Sequence, residues 1–289
     1  MHINMKYYIV SIGSIFISLG IGMLVGFNLN YDEELSKQQE IIISDLNVRF
    51  EELKENNNML DEELEESKAN YDNGLSFIEN NSEFLIKDRL IDKNIGLFST
   101  NQENKYNQEL RNIIEISGAN LAFDITIMNN SFNKDKIAEI SDILELEFTS
   151  SEDIIDYVIE SLSNSIEELY RLQELELITI DFLGENYNEY ESVILAGGNN
   201  GELKEELFNN IDKPLTDTLK NNGKHIIGVQ RDDSKFSYIN HYFENKISTV
   251  DNINTSIGKL SLVMLLEDIN ILGKYGESEE SDKLIPFEK

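Results

Sequence analysis

The sequence of 289 residues contains no cysteine, and it has only two prolines and three histidines. The absence of cysteine excludes disulfides, thiolate metal sites, cysteine nucleophiles and a lipid anchor attached to cysteine. Thiol content therefore gives no indication of the redox compartment. Any metal site would depend on carboxylates, the three histidines and the six methionines.

Basic residues are scarce, because Asp plus Glu outnumber Lys plus Arg by 55 to 24 and the formal net charge is -31. Such a chain repels polyanions at long range, so we expect no nucleic-acid partner. Anionic lipids would be repelled as well. Attachment to a membrane therefore has to come from apolar residues.

Residues 7–27, YYIVSIGSIFISLGIGMLVGF, form one long run without a charged residue. As a helix this run would measure about 31 Å, close to the thickness of a bilayer core, which predicts a transmembrane helix after a short tail at 1–6. A cleaved signal peptide is the alternative, although the run exceeds the usual length and no A-x-A-like site follows it. Gly22 and Gly26 form a G-x-x-x-G pair, which indicates either close helix packing or ordinary glycine use.

The charges beside this run predict its orientation. Lys6 and the amino terminus precede it, whereas Asp32, Glu33 and Glu34 follow it. Because positive charge is enriched on the cytoplasmic side, we predict a single-pass protein of the cell membrane with its amino end inside. The globular part at 88–289 then lies outside the cytoplasm.

Residues 31–75 are polar and highly charged, contain no proline and have no glycine before Gly74, as a long exposed helix requires. A heptad can be written in which one core position holds Ile43, Phe50, Asn57, Leu64 and Tyr71, and the other holds Leu46, Leu53 and Leu60. This pattern predicts a coiled-coil stalk, about 60 Å long, that forms a parallel homodimer. The alternative is a single amphipathic helix that folds back on the globular domain.

Beyond residue 88, short apolar runs alternate with helix-like segments. We predict strands at 94–100, 120–128, 191–198, 224–230 and 246–250, and helices at 103–117, 134–146, 151–178 and 201–221. The alternation predicts a Rossmann-like, mostly parallel α/β domain at 88–289. Ligands of such sheets bind at the carboxyl ends of the strands, which are followed here by the loops 99–104, 197–201 and 230–235.

The loop AGGNNGEL at 196–203 leaves a predicted strand and enters a predicted helix, a position suited to phosphate binding. It matches neither G-x-G-x-x-G nor the P-loop, and it lacks the lysine of the P-loop. Gly197, Gly198 and Gly201 therefore favour a tight turn over a phosphate site.

Motifs for catalysis are absent from the sequence, which contains neither G-x-S-x-G nor H-E-x-x-H. Acidic neighbours such as Asp232 and Asp233 are expected by chance among 55 acids, so we do not expect an enzyme. Copper(I) prefers sulfur ligands, but the methionines are scattered and form no M-x-x-M pair. His225, at the start of a predicted strand, and His241 have a simpler interpretation as structural residues.

The segment VDNINTSIGKLSLVMLL, which begins at Val250, has a structural and a binding interpretation. Thr255 or the serine after it can cap a helix, and Asp251, Asn252 and Asn254 suit the turn that leads into that helix. Alternatively, the side chains of Asp251, Asn252, Asn254 and Thr255 together form a binding site.

The same segment resembles the carboxyl-terminal region of the MctB family of copper transport proteins, in which a VDNVDT-x-x-G stretch precedes an apolar helix and a GxYG turn. The corresponding elements here are VDNINTSIG at 250–258, GKYG at 273–276 and Pro286. IFISLGIGMLVG at 15–26 is similar to the membrane helix of that family, which is likewise followed by a coiled coil. The two end motifs carry the resemblance, and the middle is matched by its pattern.

The resemblance implies a non-catalytic role in copper transport or homeostasis at the bacterial cell envelope, and it is the sole indication of a copper ligand. Carboxylate and amide oxygens select poorly for copper(I). The related SteB-like proteins, which are linked to envelope assembly and division with a membrane partner, imply an alternative. In that alternative the chain is a dimeric scaffold whose α/β head binds an envelope protein.

Overall fold

The computed structural model describes residues 5–100, 106–200 and 204–287. Residues 1–4 of the predicted tail, most of the loop at 99–104 and Gly201 of the glycine loop lie outside the described residues. The chain divides into two compact units, with the boundary between Asp72 and Asn73.

Helix α1 (Met5–Ile86) supplies every described residue of the first unit. Its section Met5–Phe27 is the one stretch of the described helices that is long and apolar enough to cross a membrane. This section contains the predicted transmembrane helix at 7–27, and residues 5 and 6 of the predicted tail already belong to it. None of its apolar window is buried against other parts of the chain.

The predicted stalk at 31–75 is helical, and α1 continues beyond it to Ile86. Its heptad residues are open to solvent: Ile43 is 58% exposed, Phe50 is 65% exposed and Leu53 is 68% exposed. One face of the helix therefore carries apolar residues that nothing in the first unit covers. Pairing of this face with a second chain stays a prediction.

The second unit is built on a sheet of seven strands in the order β3-β2-β1-β4-β5-β6-β7. Neighbouring strands are parallel except for β3, which runs antiparallel to β2. The strands are β1 (Asn94–Ser99), β2 (Asn120–Ile127), β3 (Ile178–Leu183), β4 (Ser192–Ala196), β5 (His225–Val229), β6 (Ser248–Val250) and β7 (Lys274–Tyr275). The predicted α/β architecture with a mostly parallel sheet is confirmed.

Helices connect these strands and cover both faces of the sheet. They are α2 (Asn107–Ile116), α3 (Lys134–Leu144), α4 (Ser151–Asn164), α5 (Ile166–Glu174), α6 (Lys204–Leu207), α7 (Lys213–Asn221), α8 (Ile239–Glu244) and α9 (Ser256–Glu267), with a 3-10 turn at Asn129–Phe132 and a π-helical turn at Phe208–Asp212. Val193 and Leu195 of β4 face one core, whereas Ile194 and Ala196 face the other. Burial on both faces explains why the central strands β1, β4 and β5 are mostly apolar.

The strand order creates a switch point between β1 and β4. From β1 the chain crosses to β2 on one side, whereas β4 to β7 continue on the other side. At such a point the connections leave the sheet on opposite faces, and a crevice forms at the carboxyl ends of the strands. Thr100 and Gly197 follow the two strands at this position.

Parts of the second unit differ from the prediction. The helix predicted at 151–178 is wrong in two respects, because it is divided at Ser165 and because Ile178 begins β3. The hydroxyl of Ser165 accepts a hydrogen bond from the backbone N–H of Glu168 at 3.3 Å and thereby caps α5. The prediction also lacks the strand β3, and it lacks α8 and β7, which are too short to show a clear period.

Candidate functional site

The carboxyl ends of β5, β6 and β7 surround a cavity of about 400 Å³, which we name the carboxyl-edge cavity. Its wall consists of Gln230, Asp232, Ser234, Ser237, Asp251, Asn252 and residues 277–280. The cavity lies at the edge of the sheet where the sequence predicts ligands. It includes part of the predicted loop at 230–235 and two of the four predicted site residues.

Asp251 follows β6 and is 2% exposed. Its Oδ1 accepts a hydrogen bond from the backbone N–H of Glu277 at 3.0 Å. Its Oδ2 accepts one from the backbone N–H of Ser278 at 3.1 Å, one from the hydroxyl of Ser281 at 2.6 Å and one from the hydroxyl of Ser278. Because four donors occupy the carboxylate, it anchors the segment after β7 and has little capacity left for a metal ion.

Thr255 and Asn254 serve the local structure. The hydroxyl of Thr255 accepts from the backbone N–H of Gly258 at 3.1 Å, which caps α9, and donates to the backbone oxygen of Asn252 at 3.0 Å. Asn254 donates from Nδ2 to the carboxylate of Asp232 at 2.8 Å, and its Oδ1 accepts from the backbone N–H of Asp232 at 3.2 Å. Asn254 therefore joins the loop after β5 to the turn before α9.

Asn252 differs from these three neighbours. It is 1% exposed and lies in the wall of the carboxyl-edge cavity. Neither its Nδ2 nor its Oδ1 has a hydrogen-bond partner in the part of the chain that the structure describes. A buried polar group without a partner costs about 1–3 kcal/mol, so a bound group that pairs with this amide would recover that free energy. Asn252 is thus the predicted site residue with hydrogen-bonding capacity to spare.

The wall of the carboxyl-edge cavity is negatively charged. Five carboxylates line it, and its described residues include no lysine or arginine; the acids are Asp232, Asp251, Glu277, Glu279 and Glu280. Glu277 and Glu279 are exposed, whereas Glu280 accepts a hydrogen bond from the hydroxyl of Ser237. The potential within the cavity therefore favours a positively charged group that also bonds to the amide of Asn252.

A second polar cluster lies near the switch point between β1 and β4. Asp212, the last residue of the π-helical turn, is fully buried. Its Oδ1 accepts hydrogen bonds from the hydroxyl of Thr100 at 2.9 Å and from the hydroxyl of Tyr242, whereas Oδ2 has no partner among the described residues. Burial raises the pKa of Asp212 to about 7, although the bonds from Tyr242 and Thr100 lower it. This carboxyl can therefore change its protonation state near neutral pH.

Tyr106 and Tyr242 hold this cluster together. The hydroxyl of Tyr106 lies 2.9 Å from the backbone oxygen of Gly197 and 2.8 Å from that of Val229, and its single proton is shared between these two acceptors, which joins the carboxyl ends of β4 and β5. A Cβ atom on Gly197 would lie 2.2 Å from the hydroxyl of Tyr242, so this position requires glycine. The residues of the cluster are distant in the sequence and share no motif, so sequence reasoning misses them.

The described part of the glycine loop is a tight turn. Gly198 has a φ of +77°, in the left-handed region that favours glycine. The helix that follows, α6, continues without a break through the π-helical turn into α7, and residues 201–203 before it lie outside the described residues. The backbone at Gly198 agrees with the turn interpretation.

The two histidines that the structure describes make structural contacts. His225 Nδ1 lies 3.2 Å from the hydroxyl of Ser192, and burial lowers the pKa of His225. The ring of His241 packs against the rings of Phe208 and Phe236. Across the described residues, no group of three or more His, Cys, Asp or Glu side chains is arranged to hold a metal ion.

A family model described as copper transport outer membrane protein, MctB, matches residues 2–158 and 172–286 of the chain. These two stretches make up most of the sequence. The chain belongs to the MctB family. The MctB match confirms the resemblance carried by the two end motifs, and it includes the apolar section Met5–Phe27 and the residues of the carboxyl-edge cavity. No curated protein matches the chain.

Proposed function

We propose that this member of the MctB family is a membrane-anchored envelope protein that takes part in copper transport or homeostasis by binding a protein partner. The observation that carries the proposal is the buried amide of Asn252, which has no partner among the described residues and lies in a wall of five carboxylates. The link to copper comes from the family description. We propose no catalytic role and no nucleic-acid partner for the chain.

We propose that the partner protein, and not this chain, coordinates the copper ion. Four donors occupy the carboxylate of Asp251, and local hydrogen bonds engage Asn254 and Thr255. Oxygen ligands also select poorly for copper(I), which prefers sulfur. Asp251, Asn254 and Thr255 are therefore poorly suited to coordinate a copper ion. Their role is to form and support the wall of the carboxyl-edge cavity.

A basic peptide segment suits the chemistry of the carboxyl-edge cavity. The ammonium group of a lysine donates hydrogen bonds and accepts none, so it suits the exposed carboxylates of Glu277 and Glu279; it reaches Oδ1 of Asn252 after the atoms that cover this amide move aside. The backbone carbonyl of the same segment can accept from Nδ2 of Asn252. A metal ion would offer no acceptor for this Nδ2. A peptide can therefore pair with both the acceptor Oδ1 and the donor Nδ2 of Asn252.

Binding of a lysine peptide tests this assignment. Full-length protein in nonionic detergent is titrated with an acetylated hexalysine amide, with hexaglutamate as the oppositely charged control peptide. We expect saturable 1:1 binding of hexalysine that weakens at least tenfold, or about 1.4 kcal/mol, in Asn252→Ala and in Glu279→Gln. Glu189→Gln, an exposed acid outside the cavity wall, should leave the affinity unchanged. Equal losses in all three variants, or no saturation, would contradict the proposal.

Copper titration tests the other half of the proposal. Copper(I) and copper(II) are added to full-length protein in competition with a chelator. We expect the weak background of an acidic surface, identical in the wild type and in Asp251→Asn. Tight 1:1 binding that disappears in Asp251→Asn or Asn252→Ala would place copper in the family motif and overturn the assignment to a partner.

Anchoring is proposed to use residues 7–27 as a single span, with the amino end inside and residues 88–289 outside the cytoplasm. The length and composition of Met5–Phe27 support the span. Lys6 before it and the acidic residues after it support the orientation.

A dimeric envelope scaffold is the second candidate function. The exposed heptad face of α1 favours it, because two parallel copies would bury these apolar residues in the geometry of a coiled coil. In this alternative the Rossmann-like α/β head binds an envelope protein and copper plays no part. The two candidates are separated by whether partner binding at the carboxyl-edge cavity depends on copper.

A further inference from the structure

A second cleft, the amino-edge cleft, lies at the opposite edge of the sheet, where β5 and β6 begin. Its volume is about 220 Å³. Its polar wall consists of Lys220, Lys224, His225, Lys246, Ser248 and Asn270, and its apolar wall includes Ile269 and Leu272. The function proposed above does not involve this cleft.

The charge of the amino-edge cleft is opposite to that of the chain. Acids outnumber Lys plus Arg by more than two to one in the sequence, yet the wall contains three lysines and no described acid. Lys93 adds a further positive charge near the cleft, and this charge lowers the pKa of His225. Glu191 and Asp268 are the acids that act on Lys224 and His225 from outside the wall. Such a concentration of positive charge favours an anion.

The lysines of the cleft lack carboxylate partners. Nζ of Lys220 donates to the backbone oxygen of Asn245 at 2.5 Å, and Nζ of Lys224 donates to the backbone oxygen of Tyr190 at 2.7 Å. No ion pair within 4.0 Å involves these two lysines or Lys246 in the described part of the chain. Each ammonium group has three donors, so donors remain for a ligand.

His225 adds a group that responds to an anion. Burial lowers its pKa first, and the charge of Lys93 lowers it further. Burial also lowers the pKa of Lys224. An anion in the cleft would oppose both effects, because a nearby opposite charge favours the protonated forms. Both groups therefore favour an anion as a ligand of the cleft.

The apolar wall indicates what the anion carries. Ile269 is 61% exposed and Leu272 is 51% exposed, and both border the same cleft as the lysines. Covering such side chains releases about 25 cal/mol for each Å² of apolar surface removed from water. A ligand with a charged group and an apolar substituent uses both walls, whereas inorganic phosphate uses one.

We propose that the amino-edge cleft binds a phosphate ester with an apolar substituent. The phosphate oxygens accept hydrogen bonds from Lys220, Lys224 and Lys246, and the substituent covers Ile269 and Leu272. Several lysines suit phosphate because its charge can reach two and its oxygens accept several donors. This chemistry is shared by free organic phosphates and by the headgroup of an anionic phospholipid.

The experiment uses full-length protein in nonionic detergent at constant ionic strength. Three probes are titrated by calorimetry: inorganic phosphate, phenyl phosphate and dihexanoyl phosphatidic acid below its critical micelle concentration. We expect 1:1 binding of phenyl phosphate at least tenfold tighter than that of inorganic phosphate. If phosphatidic acid binds more tightly than phenyl phosphate, the ligand is a lipid headgroup. If it binds more weakly, the ligand is a free organic phosphate. Both results support a phosphate-ester site in the cleft.

Matched variants separate the cleft from general surface charge. Lys220→Gln combined with Lys246→Gln should weaken phenyl phosphate binding at least tenfold, and these exposed side chains can be changed without loss of the fold. Lys235→Gln, an exposed lysine outside the cleft, should have no effect. Leu272→Gln should remove the preference for phenyl phosphate over inorganic phosphate. Equal effects of all lysine variants, or no saturable binding of either phosphate, would overturn the proposal.

Discussion

A Cβ atom on Gly276 would lie 1.7 Å from Oδ1 of Asp251, so the carboxylate occupies the space that any side chain at residue 276 would need. Gly276 also has a φ of +141°, which L residues rarely adopt. From this position the carboxylate reaches the backbone N–H groups of Glu277 and Ser278. The aspartate of the VDNINT stretch and the last glycine of GKYG are therefore two halves of one contact.

Substitution of Gly276 by alanine should destabilise the second unit by at least about 2 kcal/mol, because backbone strain and displacement of the Asp251 carboxylate act together. Urea unfolding of the full chain, followed by near-ultraviolet circular dichroism of the buried tyrosines, measures the loss. Gly223→Ala is the control, since Gly223 has a φ of +69° but open space around its Cβ position. Its expected loss is about 1–2 kcal/mol from strain alone. Equal losses would show that the contact with Asp251 adds nothing.

The same contact marks the limit of what the sequence can predict about the candidate site. Thr255 is predictable as a cap because its partner, Gly258, lies three residues away. The role of Asp251 is not predictable, because its donors at 277–281 are distant in the sequence and meet it only when β7 joins β6. Asn252 is buried like Asp251 but lacks hydrogen-bond partners among the described residues, and the local pattern does not encode this difference.

Replacement of Asp212 by asparagine should change how stability depends on pH. Asparagine keeps an Oδ1 that can accept from Thr100 and Tyr242, and it places Nδ2 where Oδ2 has no described partner. Folding raises the pKa of Asp212 from 3.8 to about 7, chiefly through burial. The folded state therefore holds a proton that the unfolded state releases between these two values.

The sign of the effect follows from this proton. The stabilising contribution is complete below about pH 4 and is lost as the pH rises through about 7. Between about pH 4 and about pH 7, the free energy of unfolding of the wild type should thus fall by up to about 4 kcal/mol relative to that of Asp212→Asn. Above this range the difference between the two proteins should become constant. Free energies of unfolding of both proteins across this range supply the measurement. A difference that does not vary with pH would mean that folding does not raise the pKa of Asp212.

The sheet is largely predictable from sequence, and its exceptions have physical causes. The strands β1, β4 and β5 are buried on both faces and are mostly apolar, whereas the equally buried β2 also contains Asp124 and Thr126. The edge strand β3 is partly exposed and directly follows the helical pattern of α5, which hides its start at Ile178. The cluster around Asp212 depends on a π-helical turn, for which the sequence contains no signal.

The heptad face predicts a dimer that dissociates when a charge is introduced at a core position of the heptad but not when it is introduced elsewhere on α1. Leu53→Asp places a charge at a core position and should convert a dimer of the full chain in detergent into a monomer. Val48→Asp is the matched control, because Val48 is similarly exposed, at 54% against 68% for Leu53, but lies outside both core positions. Sedimentation analysis of the three proteins measures the mass. A monomeric wild type, or dissociation in both variants, would contradict a coiled coil built on this heptad.

The orientation of the membrane span can be tested with single cysteines, because the chain contains none of its own. Met5 and Ser36 flank the predicted span at 7–27, and the side chains of both are exposed along α1. If the amino end is inside, a membrane-impermeant maleimide added to intact cells should label Ser36→Cys and leave Met5→Cys unlabelled until the membrane is permeabilised. The cysteine-free parent controls for background labelling. The reverse pattern would place the α/β domain, and with it both clefts, in the cytoplasm, and the partner of the carboxyl-edge cavity would then have to be sought there.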